Sequence, residues 1–234
     1  MRRKIVAGNW KMNGSTDLVQ QLMGALRESL GSLQQGPDVV VFPPALFVCD
    51  VLNRSGDALA VGVQNISQWA EGAYTGELSA GMARDVGCCY ALVGHSERRQ
   101  YFGETDEVIA EKVRRALDAG LTAMLCVGET LGERESGAAE SVVAGQLRQG
   151  LAQVGADEWS RIVIAYEPVW AIGTGKTASA SDAQAMHAGI RRVLAELNAP
   201  ATELSVLYGG SVKADNAAAL FAEPDIDGGL IGGA

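Results

Sequence analysis

The amino-acid sequence predicts a (β/α)8 barrel, in which eight parallel strands alternate with helices. Eight short apolar segments recur at intervals of roughly thirty residues, with amphipathic helical patterns between them. The segments are rich in Val, Leu and Ile without polar alternation, which is typical of parallel strands buried on both faces. Unusual polar residues follow one strand after another, as in barrels whose sites lie at the carboxyl ends of the strands. We expect one domain over residues 1–234, with a doubly wound open sheet as the alternative architecture.

The strands are predicted from apolar runs and the helices from their periodicity. The predicted strands are 5–10, 39–42, 59–64, 90–94, 122–127, 162–166, 205–208 and 228–231. The clearest predicted helices are 16–30, 105–119, 138–154 and 180–197. Thr105 and Ser179 are candidate N-caps, and Gly120 and Gly155 are expected at helix ends.

Composition and charge restrict the function classes. Hydrophobic residues make up 47% of the chain, enough for a large core, and no run is long and apolar enough to cross a bilayer. The net charge of −9 disfavours binding to nucleic acid or to anionic membranes, since both need basic patches. The amino terminus has basic residues but lacks the apolar region of a secretory signal, so we expect a cytoplasmic protein.

The cysteines indicate a reduced protein. Cys49, Cys88, Cys89 and Cys126 form no C-x-x-C pair, and two adjacent cysteines are poor spacing for a disulfide framework. Cys126 lies within a predicted strand and is expected to be a buried small hydrophobe. The two histidines show no metal-ligand spacing, so we expect no metal site.

The most informative segment covers residues 165–178. Glu167 follows the predicted strand 162–166, and Pro168 prevents further pairing because proline has no backbone donor. Trp170 and two glycines lie in the apolar stretch beyond it, which could close over a site and open again. A carboxylate at a strand end beside such a cover is a candidate general base that can be shielded from water.

The same segment contains a sequence similar to the end of a nucleotide-binding P-loop, Gly175-Lys176-Thr177. A P-loop also needs a glycine where this chain has Trp170, and its lysine and threonine open a helix directly. Here several small residues separate Thr177 from the next helical pattern. We therefore interpret the match as coincidental.

Further candidate residues follow other predicted strands. Lys11 is either an ordinary surface lysine or a fixed cation for an anionic substrate, with Asn9 holding its ammonium group. His95 precedes a helix N-terminus, whose dipole disfavours imidazolium and keeps the ring neutral. His187 lies inside a helical pattern, and we interpret it as structural.

Three glycine-rich turns lie late in the chain, at 173–175, 208–212 and 230–234. Backbone N–H groups in such turns can converge on an anion, and a following helix N-terminus adds partial positive charge. Their positions match the phosphate site that barrels build after their last two strands. Each turn could be only a tight strand exit, but together they favour a phosphate site.

Five motifs resemble those of the triosephosphate isomerase family. They are Asn9-Trp-Lys-Met-Asn13, Val93-Gly-His-Ser-Glu-Arg-Arg99, Ala165-Tyr-Glu-Pro-Val-Trp-Ala-Ile-Gly-Thr-Gly-Lys176, Tyr208-Gly-Gly-Ser211 and Gly229-Leu-Ile-Gly-Gly-Ala234. The match runs in order from residue 5 to the end of the chain. This resemblance implies a TIM barrel that interconverts dihydroxyacetone phosphate and glyceraldehyde 3-phosphate in glycolysis and gluconeogenesis, without a cofactor.

The resemblance also implies a role for each matching residue. Glu167 would remove a carbon-bound proton and return it to the neighbouring carbon, while His95 would polarise the carbonyl and move protons between the enediol oxygens. Lys11 and Asn9 would stabilise the oxyanion, and Glu97 would belong to the same network. The residues expected to bind phosphate through backbone N–H groups are Gly173, Ser211, Gly232 and Gly233. Residues 168–178 would form the lid that protects the enediol phosphate.

Members of the family are typically dimers, in which a loop of each subunit lies near its partner's active site. Residues 64–78 resemble that loop, with Thr75 near its tip. Trp69 and Tyr74 would be costly to leave exposed, which favours a homodimer through residues 65–78 over a free surface loop.

The chain departs from the family pattern at its end. It stops at Ala234, directly after the last predicted strand, whereas family members continue with a serine and a last helix that completes the phosphate pocket. We therefore expect that the sequence is truncated and lacks the last helix of the barrel, which would reduce phosphate affinity and stability.

Two other functions remain as alternatives. Another phosphate-binding barrel enzyme, such as an aldolase or a synthase, would need a Schiff-base lysine inside a strand or a metal cluster, and the sequence shows neither. A non-catalytic sugar-phosphate-binding protein would keep only the fold. The presence of Lys11, His95 and Glu167 together favours the enzyme.

Overall fold

The structure, a computed structural model, describes residues 2–31, 36–56, 59–172 and 177–232, whose strands form one closed parallel barrel. The strands are β1 (Ile5–Asn9), β2 (Asp38–Phe42), β3 (Ala60–Val63), β4 (Tyr90–Val93), β5 (Thr122–Val127), β6 (Ile162–Tyr166), β7 (Val206–Tyr208) and β8 (Gly228–Ile231). Each strand pairs with the next, and β8 pairs with β1. Closure confirms the (β/α)8 prediction and excludes the open sheet.

Helices pack around the strands and connect them. They are α1 (Thr16–Gly31), α2 (Val48–Ser55), α3 (Ala80–Asp85), α4 (Ser96–Phe102), α5 (Asp106–Asp118), α6 (Leu131–Glu135), α7 (Ala139–Gly150), α8 (Ala180–Glu196) and α9 (Ala217–Phe221). Short 3-10 helices lie at Ala45–Phe47, Trp159–Arg161 and Val169–Ala171. No helix in the part of the chain that the structure describes is long and apolar enough to span a membrane.

The predicted boundaries are close to the observed ones, with one clear error. The Thr105 and Ser179 side chains accept the N-cap hydrogen bonds that were predicted for them. Gly120 follows α5 with a φ of 77°. Gly155, by contrast, does not end a helix, because α7 stops at Gly150 and the chain continues in turns closed by shorter-range hydrogen bonds.

Two hydrophobic clusters explain why the strands are apolar on both faces. One fills the barrel interior and includes Tyr90 and Leu92 of β4. The other lies between the strands and the helices and includes Ala91 and Val93 of the same strand. Successive side chains point to opposite faces of a strand, so a parallel strand between two cores needs apolar residues at every position.

Candidate active site

The barrel brings two of the predicted residues into direct contact. Glu167 follows β6 and His95 follows β4, and the Nε2 atom of His95 lies 2.9 Å from Oε1 of Glu167. Both residues are buried, with 6% of His95 and 2% of Glu167 exposed. A buried glutamate needs partners for its charge, and here they are supplied by a strand two positions away around the barrel.

The Glu167 carboxylate is held by Ser96 as well as by His95. The backbone N–H of Ser96 donates to Oε2 at 2.9 Å, and its hydroxyl donates to Oε1 at 3.3 Å. Burial raises the pKa of Glu167, but the charge and hydrogen bond of His95 and the Ser96 N–H lower it by more. In this arrangement Glu167 is therefore a stabilised carboxylate and a weak base. Sequence analysis missed Ser96, although it lies inside the motif that carries His95.

The His95 ring is held by the backbone that follows it. The N–H of Glu97 donates to Nδ1 at 3.3 Å, so Nδ1 is an acceptor and the single ring proton of this tautomer lies on Nε2. Burial lowers the pKa of His95, and the Glu167 carboxylate raises it by more, so the net shift is upward. The predicted neutral ring matches the bond at Nδ1, but contact with Glu167 opposes it. The bond at Nδ1 describes the neutral tautomer, and the raised pKa follows from the contact with Glu167.

Lys11 reaches the same site from the end of β1, in a way the sequence did not predict. Its ammonium group lies 2.7 Å from Oε1 of Glu97, and the Asn9 side chain accepts from the backbone N–H of Lys11 instead. The prediction that Asn9 holds the ammonium was therefore wrong. Lys11 has a φ of 52°, an uncommon left-handed conformation, and the Asn9 bond together with a bond from Gln64 to the Lys11 carbonyl fixes this turn.

The four predicted residues at the ends of β1, β4 and β6 line one cavity of about 230 Å³ at the carboxyl end of the barrel. Its lining includes Asn9, Lys11, His95, Glu167, Ile172, Gly209, Gly210, Ser211, Lys213, Leu230 and Gly232. The predicted phosphate residues Ser211 and Gly232 thus share a cavity with the predicted base. Gly173 and Gly233 lie outside the described residues, as do Gly175 and Lys176 of the P-loop-like sequence.

Two glycines of the cavity wall leave room for functional side chains. A Cβ atom on Gly209 would lie 2.9 Å from Cγ of Glu167, and one on Gly232 would lie 2.8 Å from Cε of Lys11. Any larger residue would therefore displace the carboxylate or the lysine stem. Close packing, rather than a special backbone angle, accounts for glycine at these positions.

Glu129 organises the segment that follows Glu167, a role that sequence analysis did not assign. It is fully buried, and one of its oxygens accepts from the Tyr166 hydroxyl at 3.1 Å and from the Trp170 indole N–H at 2.8 Å. Arg134 lies 3.3 Å from the same oxygen and 4.6 Å above the Trp170 ring. The first residues of the predicted lid are therefore anchored, while its residues 173–176 lie outside the described part.

His187 differs from His95 as predicted. It is fully buried in α8, its Nδ1 lies 3.2 Å from the Asp225 carbonyl, and its ring lies against Tyr166 and Tyr208. Burial lowers the pKa of His187 to about 4. His187 does not line the cavity of the site, and its lowered pKa favours the neutral ring, so its environment is structural.

The structure also describes the cysteines and the loop at 65–78. All four cysteines are free, and Cys126 is buried. Trp69 and Tyr74 stack with ring centroids 4.0 Å apart but remain partly exposed. Among the described residues, no group of His, Cys, Asp and Glu side chains is arranged to hold a metal ion.

The barrel and its site define the class of protein: a (β/α)8 enzyme with titratable residues and glycine turns at the carboxyl ends of its strands. A family model described as triosephosphate isomerase matches residues 4–234. The chain therefore belongs to the triosephosphate isomerase family, a family of isomerases.

Individual relatives agree with the family match. A triosephosphate isomerase of Marinobacter nauticus is 68% identical over 234 residues, covering 100% of this chain and 93% of the relative. Proteins of the same name from Hydrogenovibrio crunogenus and Thiobacillus denitrificans are 54% and 55% identical. They are matched over all of this chain and over 93% and 94% of their own lengths.

Proposed function

We propose that this protein interconverts dihydroxyacetone phosphate and glyceraldehyde 3-phosphate, as a cytoplasmic enzyme of glycolysis and gluconeogenesis. One observation carries the proposal: Glu167 and His95 lie 2.9 Å apart in a cavity that Ser211 and Gly232 also line. A base and a proton donor thus lie a few ångströms from glycine-rich turns that suit a phosphate group.

The chemistry begins with Glu167. Its carboxylate takes a proton from carbon 1 of dihydroxyacetone phosphate, and the C–H electron pair forms the double bond of an enediol between carbons 1 and 2. The carbonyl oxygen takes a proton from Nε2 of His95. Glu167 then returns its proton to carbon 2, while the hydroxyl on carbon 1 gives its proton back to His95 and becomes the aldehyde oxygen. Each proton is returned, so the enzyme ends unchanged.

Glu167 must move before it can act. Both of its oxygens are engaged by Ser96 and His95, and these bonds lower its pKa. Rotation towards the substrate breaks them and increases the basicity of the carboxylate. The same rotation removes from His95 the charge that raises its pKa, so burial favours the neutral ring that donates from Nε2. One movement therefore prepares the base and the electrophile together.

Lys11 supplies the positive charge opposite the substrate oxygens. Its ammonium is oriented by Glu97, and Asn9 fixes the backbone of the same turn. An oriented cation in a partly enclosed cavity stabilises developing negative charge on the enediolate oxygen better than a mobile one. Asn9 also lines the cavity and can donate to that oxygen.

The phosphate group would occupy the end of the cavity formed by Ser211 and Gly232. The family resemblance adds Gly173 and Gly233 to this end. Residues 168–178 would close over the bound substrate, starting from the anchored Trp170. Closure would exclude water and retain the enediol phosphate.

We also propose a homodimer through residues 65–78. Three exposed apolar side chains support the dimer, because a partner would cover them. They are Met12, Leu46 and Phe102, of which Met12 is 97% exposed. Met12 and Phe102 line a second cavity of about 290 Å³ that extends to Lys11 and His95. A loop inserted there by a second copy would cover this apolar surface and contact the site.

The test of the activity is a coupled assay on the purified protein, started from each triose phosphate in turn. Turnover in both directions is expected without added metal or cofactor. The proposal would be contradicted by a sample that is folded, as judged by its circular dichroism spectrum, but shows no turnover in either direction. Turnover of an aldol cleavage substrate instead would favour the alternative barrel enzyme.

The test of the dimer is sedimentation at micromolar concentration. The expected species has twice the chain mass of 24.5 kDa. Thr75→Arg, in the exposed loop, is expected to shift the protein towards monomer. The control Thr202→Arg, in the exposed turn between α8 and β7, is not. A wild-type monomer would overturn the dimer without affecting the assignment of the cavity.

A further inference from the structure

Arg99 joins two strands at the point where their backbone pairing ends. The last paired residues of β4 and β5 are Val93 and Leu125. At the next position, the Arg99 side chain donates from Nε to the Gly94 carbonyl at 2.9 Å and from Nη2 to the Cys126 carbonyl at 3.2 Å. The guanidinium group therefore continues the strand connection by one step where the backbone ladder has stopped.

The Arg99 guanidinium also forms an ion pair with Asp106, which neutralises its charge. Nη1 lies 2.5 Å from Oδ1 of Asp106, in the first turn of α5. The Arg99 side chain is only 18% exposed, so most of it is fixed between α4, the two strand ends and α5. Three acceptors in three directions suit a planar guanidinium, whereas a lysine ammonium is a compact group that cannot span them.

Both carbonyls that Arg99 binds lie close in sequence to the site. Gly94 immediately precedes His95, and with a φ of 71° it turns the chain out of β4. Cys126 pairs with Ala165 of β6, two residues before Glu167. Arg99 thus holds the backbone that carries the proton donor against the strand that adjoins the backbone of the base.

We propose that Arg99 is a positioning residue for His95. It lines neither described cavity of the site and acts only through the backbone, by fixing where β4 ends and where the His95 ring starts. Proton transfer depends on sub-ångström placement, so loss of this support reduces turnover more than substrate binding. The expected loss of turnover rests on the proposed isomerisation, whereas the expected effect of Arg99 on the position of the His95 ring does not.

The kinetic test compares Arg99→Met with Arg114→Met. Arg114 is a matched control, since its guanidinium also donates to both carboxylate and carbonyl oxygens, those of Asp118, Glu158 and the Gln153 backbone, and its side chain is 23% exposed. Arg99→Met is expected to lower kcat about tenfold to a hundredfold, with KM changed less than threefold. Arg114→Met is expected to lower the melting temperature with kcat within twofold of wild type. An Arg99→Met kcat as high as that of Arg114→Met would overturn the proposal.

Two further variants protect the test against simple misfolding. Arg99→Lys keeps the charge beside Asp106 but cannot bridge both carbonyls, so its kcat is also expected to fall, although less than that of Arg99→Met. In Arg99→Ala, added guanidinium ion is expected to restore part of kcat. Full activity of Arg99→Lys, or no effect of guanidinium on folded Arg99→Ala, would indicate a purely structural residue.

The spectroscopic test is independent of turnover. In protein labelled with 15N in histidine, Arg99→Met is expected to shift the ring resonances and the pKa of His95 while leaving those of His187 unchanged. If wild type shows no turnover, the proposed function fails but this readout still tests the contact. Unchanged His95 resonances in Arg99→Met would overturn the positioning role.

Discussion

The two histidines of this chain are both buried but have opposite electrostatic environments. His95 touches the Glu167 carboxylate, which raises its pKa against the effect of burial. His187 has a backbone carbonyl and two tyrosine rings as neighbours, and burial lowers its pKa to about 4. Burial alone therefore does not determine the state of a histidine. The carboxylate in contact with His95 accounts for the difference in pKa.

The difference follows from the position of each residue in the fold. His95 lies two residues past the end of β4, where residues from different strands converge on one cavity. His187 lies in the middle of α8 and faces the back of β6 and β7. A histidine at the carboxyl end of a strand can meet a second titratable group, whereas a histidine between helix and strand meets apolar or backbone groups.

The largest expected effect comes from removing the carboxylate that distinguishes the two histidines. Glu167→Gln is expected to reduce turnover by about 10³-fold or more, because an amide cannot accept the carbon-bound proton. The same variant is expected to lower the pKa of His95, since the charge that raises it is gone. The coupled assay and histidine NMR titration measure the two effects.

The control for Glu167→Gln is ligand binding. Glycerol 3-phosphate is expected to bind the variant within about threefold of wild type, because the phosphate end of the cavity is unchanged. An equal loss of binding and turnover would mean that Glu167 is a structural residue. An unchanged His95 pKa would mean that the two side chains are not in contact in solution.

The second prediction makes the same substitution at both histidines. His95→Gln is expected to lower kcat by about 10²-fold, because the amide does not titrate, and to change stability little. His187→Gln is expected to leave kcat within threefold and to lower the free energy of unfolding by about 1–3 kcal/mol, because the Asp225 carbonyl loses its donor. Urea unfolding and steady-state kinetics on both variants give the comparison.

The result would be informative in either direction. A strong loss of kcat in His187→Gln, measured on fully folded protein, would mean that the α8 histidine takes part in the reaction. A stability loss in His95→Gln that matches that of His187→Gln would make His95 a second structural histidine.

The sequence predicted the fold and the convergence of the site because both depend on local patterns. Apolar runs at regular spacing determine the strands, and Glu167 and His95 each lie within two residues of a strand end. Parallel strands place their carboxyl ends together, so contact between distant residues follows from topology alone.

The remaining features of the site depend on side-chain and backbone geometry. The sequence assigned Asn9 to the Lys11 ammonium, whereas the left-handed backbone of Lys11 turns its N–H towards Asn9 and its ammonium towards Glu97. Ser96 was missed because its neighbour His95 explained the motif. Lys213 was missed because no sequence pattern distinguishes a cavity lysine from a surface one.

The third prediction concerns the pH dependence of stability. His187 has a folded pKa of about 4 and an ordinary pKa of 6.5 when unfolded, so the unfolded chain binds more protons between these values. Stability is therefore lost as the pH falls from 6.5 towards 4. From pH 7 to pH 5 we expect about 2 kcal/mol from His187 alone. Because other groups also titrate, the measurement is the difference between wild type and His187→Asn in urea unfolding at each pH.

As the pH falls, the free energy of unfolding of wild type is expected to decrease relative to that of His187→Asn, because asparagine does not titrate. His95 contributes with the opposite sign: its raised pKa gives stability at low pH that is lost as the pH rises through the folded value. A constant gap between wild type and His187→Asn from pH 7 to pH 5 would show that His187 titrates normally.

The smallest expected effect separates the two ways in which His187 stabilises the fold. Its Nδ1 donates to the Asp225 carbonyl, while its ring packs between Tyr166 and Tyr208. Asparagine can place an N–H near the position of Nδ1, whereas leucine fills similar space without a donor. At pH 7.5, His187→Asn is expected to be more stable than His187→Leu by about 1 kcal/mol, the usual net value of one buried hydrogen bond. If leucine proves equal or better, ring packing rather than the bond to Asp225 holds this histidine, and its low pKa follows from burial alone.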